Sequence, residues 1–143
     1  MAEGKFQFLG FRFPKVEMRF SDTFPQPDEK LNNTINVSKM IDGADKRRVV
    51  IQIDVAIQNE MKTLDIGLQV KGIFLAIEDM PDEMFARFCD QNAPAILFPY
   101  ARALLSSITA QAGIAPLILP TINFSSSPGG EPIAERQPAE SSQ

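Results

Sequence analysis

Hydrophobic and polar residues alternate along most of the first half of the chain. In residues 6–20 (FQFLGFRFPKVEMRF) the apolar positions recur every second residue, and the phase of this pattern changes at Gly10 and again at Pro14. A period of two predicts a strand with one buried face, and each change of phase indicates a β-bulge. Because Pro14 cannot donate a ladder hydrogen bond, we expect a sheet edge or an interrupted strand. Such an edge could stay bent and unpaired, or it could pair with a second copy of the chain.

Three further segments have the same period. Residues 31–41 alternate weakly, residues 47–58 (RRVVIQIDVAIQ) alternate cleanly, and residues 64–70 alternate before an apolar run at 72–77. Turn-forming residues, such as those at 42–45, separate these segments. One covered face and one partly polar face is typical of an antiparallel sheet built as a meander.

The period changes to that of a helix after the last of these strands. Pro81 suits a first helical turn, the acidic residues that follow it favour the positive end of the helix, and Asn92 can end it. Residues 96–98 are predicted to be extended, because the residue before a proline avoids the α region, and Pro99 then begins a second helix that Gly113 ends. Strands followed by helices predict an α+β fold, a sheet with helices on one face.

The chain has more apolar surface than two helices on one face of a sheet can cover. The second helix has a broad apolar arc, the segment 114–124 (IAPLILPTINF) is apolar and broken by prolines, and the first strand is rich in phenylalanine. Uncovered apolar surface is commonly a protein-binding site, so the pattern predicts an oligomer or a peptide-binding domain. Residues 125–143 (SSSPGGEPIAERQPAESSQ) have the composition of a disordered tail, which limits the predicted domain to residues 1–124.

Composition narrows the function further. The 143 residues carry a net charge of −4, with no histidine and a single cysteine, Cys89. Without histidine the Ser-His-Asp and Cys-His arrangements are excluded, one thiol among carboxylates is a poor zinc site, and no glycine-rich phosphate loop is present. We therefore expect no enzyme activity, no cofactor and no metal. An acidic chain also lacks the basic surface expected for binding nucleic acid or for direct membrane binding.

Targeting signals are absent from the sequence pattern. Residues 1–20 contain no apolar core of a signal peptide, and no window approaches the ~20 apolar residues of a membrane span. A single cysteine is typical of a reducing compartment. We therefore expect a soluble cytoplasmic protein.

Three short motifs carry a family resemblance. The segment ILFPYAR at 96–102, followed by a helix and then LPTINF at 119–124, is similar to the corresponding stretch of the SecB family of bacterial export chaperones. KGIF at 71–74 resembles the G-G-I-F segment at the end of that family's fourth strand. The resemblance implies a four-stranded antiparallel sheet with two helices packed on one face. It implies a homotetramer built as a dimer of dimers. It also implies an ATP-independent holdase that keeps unfolded preproteins from folding or aggregating until handover to the motor ATPase SecA, a candidate partner.

The resemblance further implies two sets of site residues. By matching position, the residues expected in a hydrophobic client-binding groove are Leu31, Ile35, Val37, Ile73, Phe74, Tyr100, Leu104 and Ile108. The candidates for contact with the translocase, on the first and fourth strands, are Lys15, Glu17, Arg19, Asp65 and Gly67. Each groove residue could instead be an ordinary core residue.

The translocase-contact set departs from the family pattern. Export-type members present acidic residues on either side of the first-strand triplet that aligns with residues 16–18, where this chain has Lys15 and Arg19, and Gly67 replaces a further acidic contact. The family's C-terminal helix is replaced by the polar tail. These differences favour a SecB-like chaperone outside the standard export role, such as one that protects an antitoxin. An export chaperone with a shifted acidic patch, and an oligomeric adaptor for one folded partner, remain the alternatives.

Overall fold

The computed structural model describes residues 6–22, 30–41, 47–76, 80–120, 122–124 and 133–138 of the chain. These residues form five strands and one long helical segment. The strands are β1 (Phe6–Phe20), β2 (Lys30–Ile41), β3 (Arg48–Asn59), β4 (Leu64–Ala76) and β5 (Ile133–Pro138). The helical segment consists of α1 (Asp82–Arg87), a π-helical turn (Phe88–Asn92) and α2 (Ala93–Gln111).

The strands form one antiparallel sheet in the order β1-β4-β3-β2-β5. The adjacency of β2, β3 and β4 confirms the predicted meander for these three strands. β1 departs from it, because it pairs with β4 rather than with β2. The register of β1 against β4 shifts between Phe8 and Gly10 and again between Arg12 and Lys15, so both predicted bulges are confirmed. Gly10 has a φ of 150°, a conformation that residues with a side chain rarely adopt.

The core lies between one face of the sheet and α2. In the two central strands most alternate residues are aliphatic and almost completely buried, for example Ile53 in β3 and Ile66 in β4. On the helix, Leu97, Ala101 and Leu105 are also fully buried, and their spacing of four residues places them on one stripe. Burial of each large aliphatic side chain contributes about 1.5–3 kcal/mol, so this interface dominates the hydrophobic stabilisation of the fold.

Gly72 allows α2 to approach β4 closely. A Cβ atom at this position would lie 2.8 Å from Leu97 Cδ1 and 3.2 Å from Phe74 Cε1, both shorter than an ordinary van der Waals contact. The glycine of the KGIF motif therefore has a structural role, because Leu97 can pack directly on the strand where no side chain intervenes.

The prediction of two separate helices is wrong, because one continuous helical segment runs from Asp82 to Gln111. Residues 96–98 are helical, and Pro99 lies inside α2 rather than at its start. In the π-helical turn the amide of Ala93 donates to the carbonyl of Phe88, five residues back, so the chain passes from α1 to α2 without a break. Packing of the predicted extended segment against the core outweighs the local preference of a residue before proline.

The proline-broken segment after α2 is partly buried rather than left uncovered. Leu119 and Phe124 lie in the core. Thr109 joins the segment to the helix: its hydroxyl donates to the Leu105 carbonyl at 2.8 Å and accepts from the Leu117 amide at 3.0 Å. The sequence predicts that the apolar segment 114–124 is left uncovered. This prediction does not hold for Leu119 and Phe124, which are buried.

β5 differs from the disordered tail that composition predicts for residues 125–143. Residues 133–138 pair antiparallel with β2, with Ile133 opposite Ile35. The prediction is wrong at these residues because it considered side chains alone. The outer edge of β2 presents backbone amides and carbonyls, and a segment without a periodic apolar face can satisfy them with its own backbone. The other residues of the predicted tail lie outside the described residues.

Candidate polypeptide-binding surface

A partly uncovered apolar surface lies along β1, the edge strand beside β4. α2 packs on β3 and β4, so the side of β1 that faces the helical layer is only partly covered. The contrast is clear between paired residues, since Val16 of β1 is 43% exposed and its partner Leu68 of β4 is 2% exposed. Within the described part of the chain β1 pairs with β4 alone, which leaves its other edge open.

Four aromatic residues form the centre of this region, termed the aromatic surface: Phe8, Phe11, Phe13 and Tyr100. The Tyr100 ring of α2 stacks on the Phe11 ring with centroids 4.1 Å apart, and the Phe8 ring lies 5.9 Å from that of Tyr100. Phe13 meets Phe11 edge to face at 5.9 Å. Phe11 is 41% exposed and Tyr100 is 38% exposed, so the stacked pair still presents a large apolar area to solvent.

Phe74 lies beneath the aromatic surface. Its ring stacks on Phe8 at 4.9 Å and meets Phe88 of the π-helical turn edge to face at 5.6 Å, and the residue is fully buried. Phe6 stacks on Phe88 as well, at 3.4 Å. These contacts attach the N-terminal half of β1 to the helical segment. Within one chain, Phe74 can therefore position Phe8, but its own ring is not accessible.

The predicted groove residues on α2 do lie together. Tyr100, Leu104 and Ile108 recur every four residues and are partly or largely exposed, beside the fully buried stripe that begins at Leu97. Ile96, which is 41% exposed, precedes them by one turn. This stripe of α2 extends the aromatic surface along the helix.

The remaining predicted groove residues lie elsewhere. Leu31, Ile35 and Val37 are on β2, which β3 and β4 separate from β1 by about 14 Å, or three strand spacings of about 4.8 Å. Ile35 and Val37 are buried in the core. Ile73 alternates with Phe74 and so lies on the face of the sheet away from the helix. The predicted residues therefore do not form one groove within a single chain.

Sequence reasoning missed Phe8 and Phe11 as members of the site, although the phenylalanine-rich strand was evident. The phase of the alternation changes at Gly10, between the two residues, so the pattern alone does not show that they share a face. Their common face follows from the register, which sets Phe8 opposite Phe74 and Phe11 opposite Gly72. The signal that could have found them is the concentration of aromatic residues next to a predicted bulge.

The candidates for translocase contact lie together on the other face of the sheet. In the register of β1 against β4, Glu17 is opposite Gly67 and Arg19 is opposite Asp65. Lys15 Nζ lies 3.9 Å from a Glu17 carboxylate oxygen, and both side chains are more than half exposed. The Lys15 side chain also passes over Gly67, where a Cβ atom would lie 3.7 Å from Lys15 Cε. The five residues thus share one face of mixed charge, and their contact with a translocase stays a prediction.

A hydrogen-bonded carboxylate lies at the centre of this open face. Asp54 of β3 accepts hydrogen bonds from Gln52 Nε2 and from Gln69 Nε2, each at 3.0 Å. Gln58 Nε2 donates to Asp65 at 3.3 Å. These amide groups hold the carboxylates in place, so the middle of the open face is polar, in contrast to the aromatic surface.

Cys89, the single cysteine of the chain, is buried. Burial raises the pKa of the Cys89 thiol to about 11, and the nearby Lys39 ammonium offsets this only in part. The thiol is therefore protonated at neutral pH, which makes it a poor nucleophile and a poor metal ligand. Within the described ranges, no three His, Cys, Asp or Glu residues are grouped to hold a metal ion. No helix there combines the length and the hydropathy that a bilayer crossing requires.

Fold and surface together define a class of protein. One antiparallel sheet has a helical layer on one face, a polar open face on the other, and a partly exposed aromatic surface along an edge strand. Such an arrangement is typical of a domain that binds other polypeptides.

Comparison with known proteins identifies the family. The model of the SecB family, described as preprotein translocase subunit SecB, matches residues 7–127, so the chain belongs to this family of chaperones. The protein-export protein SecB of Desulfotalea psychrophila is 29% identical over 117 residues, and the match covers 81% of this chain and 74% of that protein. An uncharacterised protein of Methanocaldococcus jannaschii is 34% identical over 127 residues, with 77% of this chain and 81% of that protein covered.

A solved structure has the same fold. The SecB-like chaperone of Mycobacterium tuberculosis, solved in complex with a ChAD peptide from the HigA1 antitoxin, matches with a TM-score of 0.66 and 18% identity. The match covers 84% of this chain and 93% of that chain. The α+β fold that the sequence predicts is thus confirmed, apart from the number of helices.

Proposed function

We propose that the protein is an ATP-independent holdase chaperone. It binds unfolded segments of other proteins on the aromatic surface and keeps them from folding or aggregating. The observation that carries the proposal is the stacked pair of Phe11 and Tyr100, whose rings remain 41% and 38% exposed although α2 is otherwise well packed on the sheet. Exposed aromatic rings bind the apolar side chains of an extended polypeptide with little regard to its sequence.

Weak contacts are sufficient when several subunits bind one client. The proposed assembly is a homotetramer, a dimer of dimers, and the open edge of β1 is a place where a second copy could pair. A client that spans several subunits gains affinity through effective concentration, without any single tight contact. Binding of this kind needs no nucleotide. A higher affinity for unfolded than for folded chains is sufficient to hold a client.

An export role would use both faces of the sheet. Preproteins would bind on the aromatic surface in the cytoplasm, and SecA would contact the open face around Glu17 and Asp65. The relatives described as protein-export proteins support this role. Lys15 and Arg19 weigh against tight SecA binding, because they place positive charge where export-type members are acidic.

A dedicated role is the alternative. The SecB-like chaperone of similar fold was solved with an antitoxin peptide, which supports the idea that this chain holds one such partner. The cations on β1 fit this role better than they fit export, because a dedicated chaperone does not require a SecA contact. An oligomeric adaptor for one folded protein is a third possibility, distinguished by its lack of affinity for unfolded chains.

Aggregation assays with unrelated clients test the proposal. Thermally denatured citrate synthase and chemically denatured rhodanese should both scatter less light when the protein is present, to the same extent with and without ATP. Protection of neither client by the folded protein would refute the holdase, and protection of one alone would favour a dedicated role. Light scattering of the protein itself should give about four times 15.8 kDa at micromolar concentration.

A further inference from the structure

Two cations face each other on the open face of the sheet. Arg12 of β1 is directly opposite Lys71 of β4, and Lys71 alternates with Gly72, which faces α2, so both cations lie on the side away from the helix. Both residues are exposed, and Lys71 is the one exposed residue of β4. Within the described ranges neither side chain takes part in an ion pair or a hydrogen bond. Like charges directly opposite each other destabilise a pair of strands, so this arrangement lowers the stability of the fold.

Lys15 adds a third cation to this pair. Gln69, the β4 partner of Lys15, precedes Lys71 by two residues, or about 6.6 Å along the strand. The ion-pair partner of Lys15 is Glu17 at 3.9 Å, and both side chains are more than half exposed. An exposed pair of this kind contributes little, so Glu17 neutralises the group only in part. The three residues Arg12, Lys15 and Lys71 are termed the cationic cluster.

The carboxylate beside the cluster is held by amides rather than by the cations. Asp54 of β3 is opposite Gln69, and Gln52 of the same strand is opposite Lys71. The two carboxylate oxygens of Asp54 accept one hydrogen bond each, from Gln52 Nε2 and from Gln69 Nε2, both at 3.0 Å. In the described part of the chain Asp54 forms no ion pair. The positive charge of the cluster therefore stays available to a group from outside.

We propose that the cationic cluster is the docking site of an acidic polypeptide segment of a partner protein. Charge complementarity carries the proposal. Carboxylates at alternate residues of an extended segment are about 6.6 Å apart, which matches the distance along β4 between the row of Arg12 and Lys71 and the row of Lys15. Opposite charges of this kind set the orientation and the association rate of a contact more than its affinity.

The chemistry of the open face separates this partner from two others. Glu17 and Asp54 lie on the same face as the cluster and would repel the continuous phosphate backbone of a nucleic acid, whereas a short acidic segment can avoid them. The cations would also repel a basic protein surface. The inference is independent of the proposed holdase function, since the aromatic surface lies on the other face of the sheet.

Fluorescence anisotropy of a labelled peptide tests the cluster. The probe is a short peptide of alternating glutamate and serine, and its control has glutamine in place of every glutamate. The variant Arg12→Gln/Lys71→Gln removes the two cations that lack an ion-pair partner among the described residues. Its matched control, Lys30→Gln/Arg87→Gln, also removes one lysine and one arginine, both exposed, from the start of β2 and the end of α1.

The wild type should bind the glutamate peptide but not the glutamine peptide, with an affinity that falls as salt is added. We expect Arg12→Gln/Lys71→Gln to weaken this binding about three- to tenfold, as the loss of two exposed ion pairs implies. Lys30→Gln/Arg87→Gln should weaken it less than about twofold, because those charges are remote and screened. Equal losses in the two variants would overturn the proposal, because net charge alone would then explain the binding. Failure of the wild type to bind the glutamate peptide, or tighter binding of an oligothymidylate of equal charge, would overturn it too.

Urea unfolding and client protection give two readouts that separate docking from other roles. Because the two cations repel each other, Arg12→Gln/Lys71→Gln should leave the urea midpoint unchanged or raise it. A clear fall of the midpoint would show that these side chains hold the fold together and would overturn the docking role. The same variant should protect denatured citrate synthase as well as the wild type does. Loss of this protection together with loss of peptide binding would place both activities on one surface, and the separate docking site would be wrong.

Discussion

Replacement of Phe11 and Tyr100 by aspartate should remove most of the affinity for unfolded clients. The two residues are 41% and 38% exposed. An aromatic side chain has an accessible area of about 150–250 Å², so about 80 Å² of each ring is free to contact a client. At about 25 cal/mol per Å² this area corresponds to about 2 kcal/mol per ring, as an upper value.

The two contributions are coupled because the rings stack with centroids 4.1 Å apart. Their sum therefore overstates the effect of changing both, and a bound client also loses conformational freedom. For Phe11→Asp/Tyr100→Asp we expect about 10- to 100-fold weaker binding, where each factor of ten corresponds to about 1.4 kcal/mol. Desolvation of the new carboxylates acts in the same direction.

Calorimetric titration of reduced, carboxymethylated α-lactalbumin measures this loss. Met61→Asp is a matched control, because Met61 is 77% exposed at the turn before β4, remote from the end of that strand that pairs with Phe11. Tyr100→Phe keeps the ring and should keep the affinity. Unchanged binding by a folded double variant would refute the assignment of the site. Dissociation of the assembly by the double change would refute it too, since the rings would then belong to a subunit interface.

Three further changes have defined outcomes. Gly72→Ala should lower the free energy of unfolding in urea by about 1–3 kcal/mol, because the new methyl group overlaps Leu97, and an unchanged midpoint would contradict the close packing. Lys15→Asp/Arg19→Glu should raise the affinity for SecA measured by calorimetry at low salt, with a smaller gain at moderate salt. If the affinity does not rise, these residues are not part of the SecA contact. Cys89 should react slowly with thiol reagents at neutral pH. Burial raises the pKa of the Cys89 thiol in the folded state from its ordinary value of 9.0 to about 11. Stability should therefore fall as the pH rises through this interval, and Cys89→Ala should lack that component.

The parts of the fold that follow from the sequence are those fixed by burial. The period of two in residues 47–58 predicts β3, because one face of that strand is completely buried. The helix boundary predicted at Pro99 is wrong. The residue before a proline prefers an extended conformation, but core packing of the same residues in a helix contributes more free energy than this preference costs. The pairing of residues 133–138 is absent from the prediction because backbone hydrogen bonds leave no pattern in side chains.

The candidate site follows from the sequence only in part, for a related reason. Tyr100 and Leu104 lie on one stripe because helical spacing alone determines it. Phe11 lies beside them only because of the register of β1 against β4. Ile35 lies away from them because β3 and β4 stand between β2 and β1 in the sheet. Both facts concern pairing between distant segments, which the alternation within one segment does not encode.

The continuous helix determines where Tyr100 lies on the sheet. Leu97 and Ala101 are fully buried and fix the rotation of α2 on the sheet. Tyr100 precedes Ala101 by about 100° of rotation, which turns its ring towards β1, where it stacks on Phe11. A ring held by its neighbours loses little freedom when a client binds, so more of the contact free energy appears as affinity. The π-helical turn keeps the helix unbroken and Gly72 lets it approach the sheet. Both features would therefore support the proposed client binding without contact to the client.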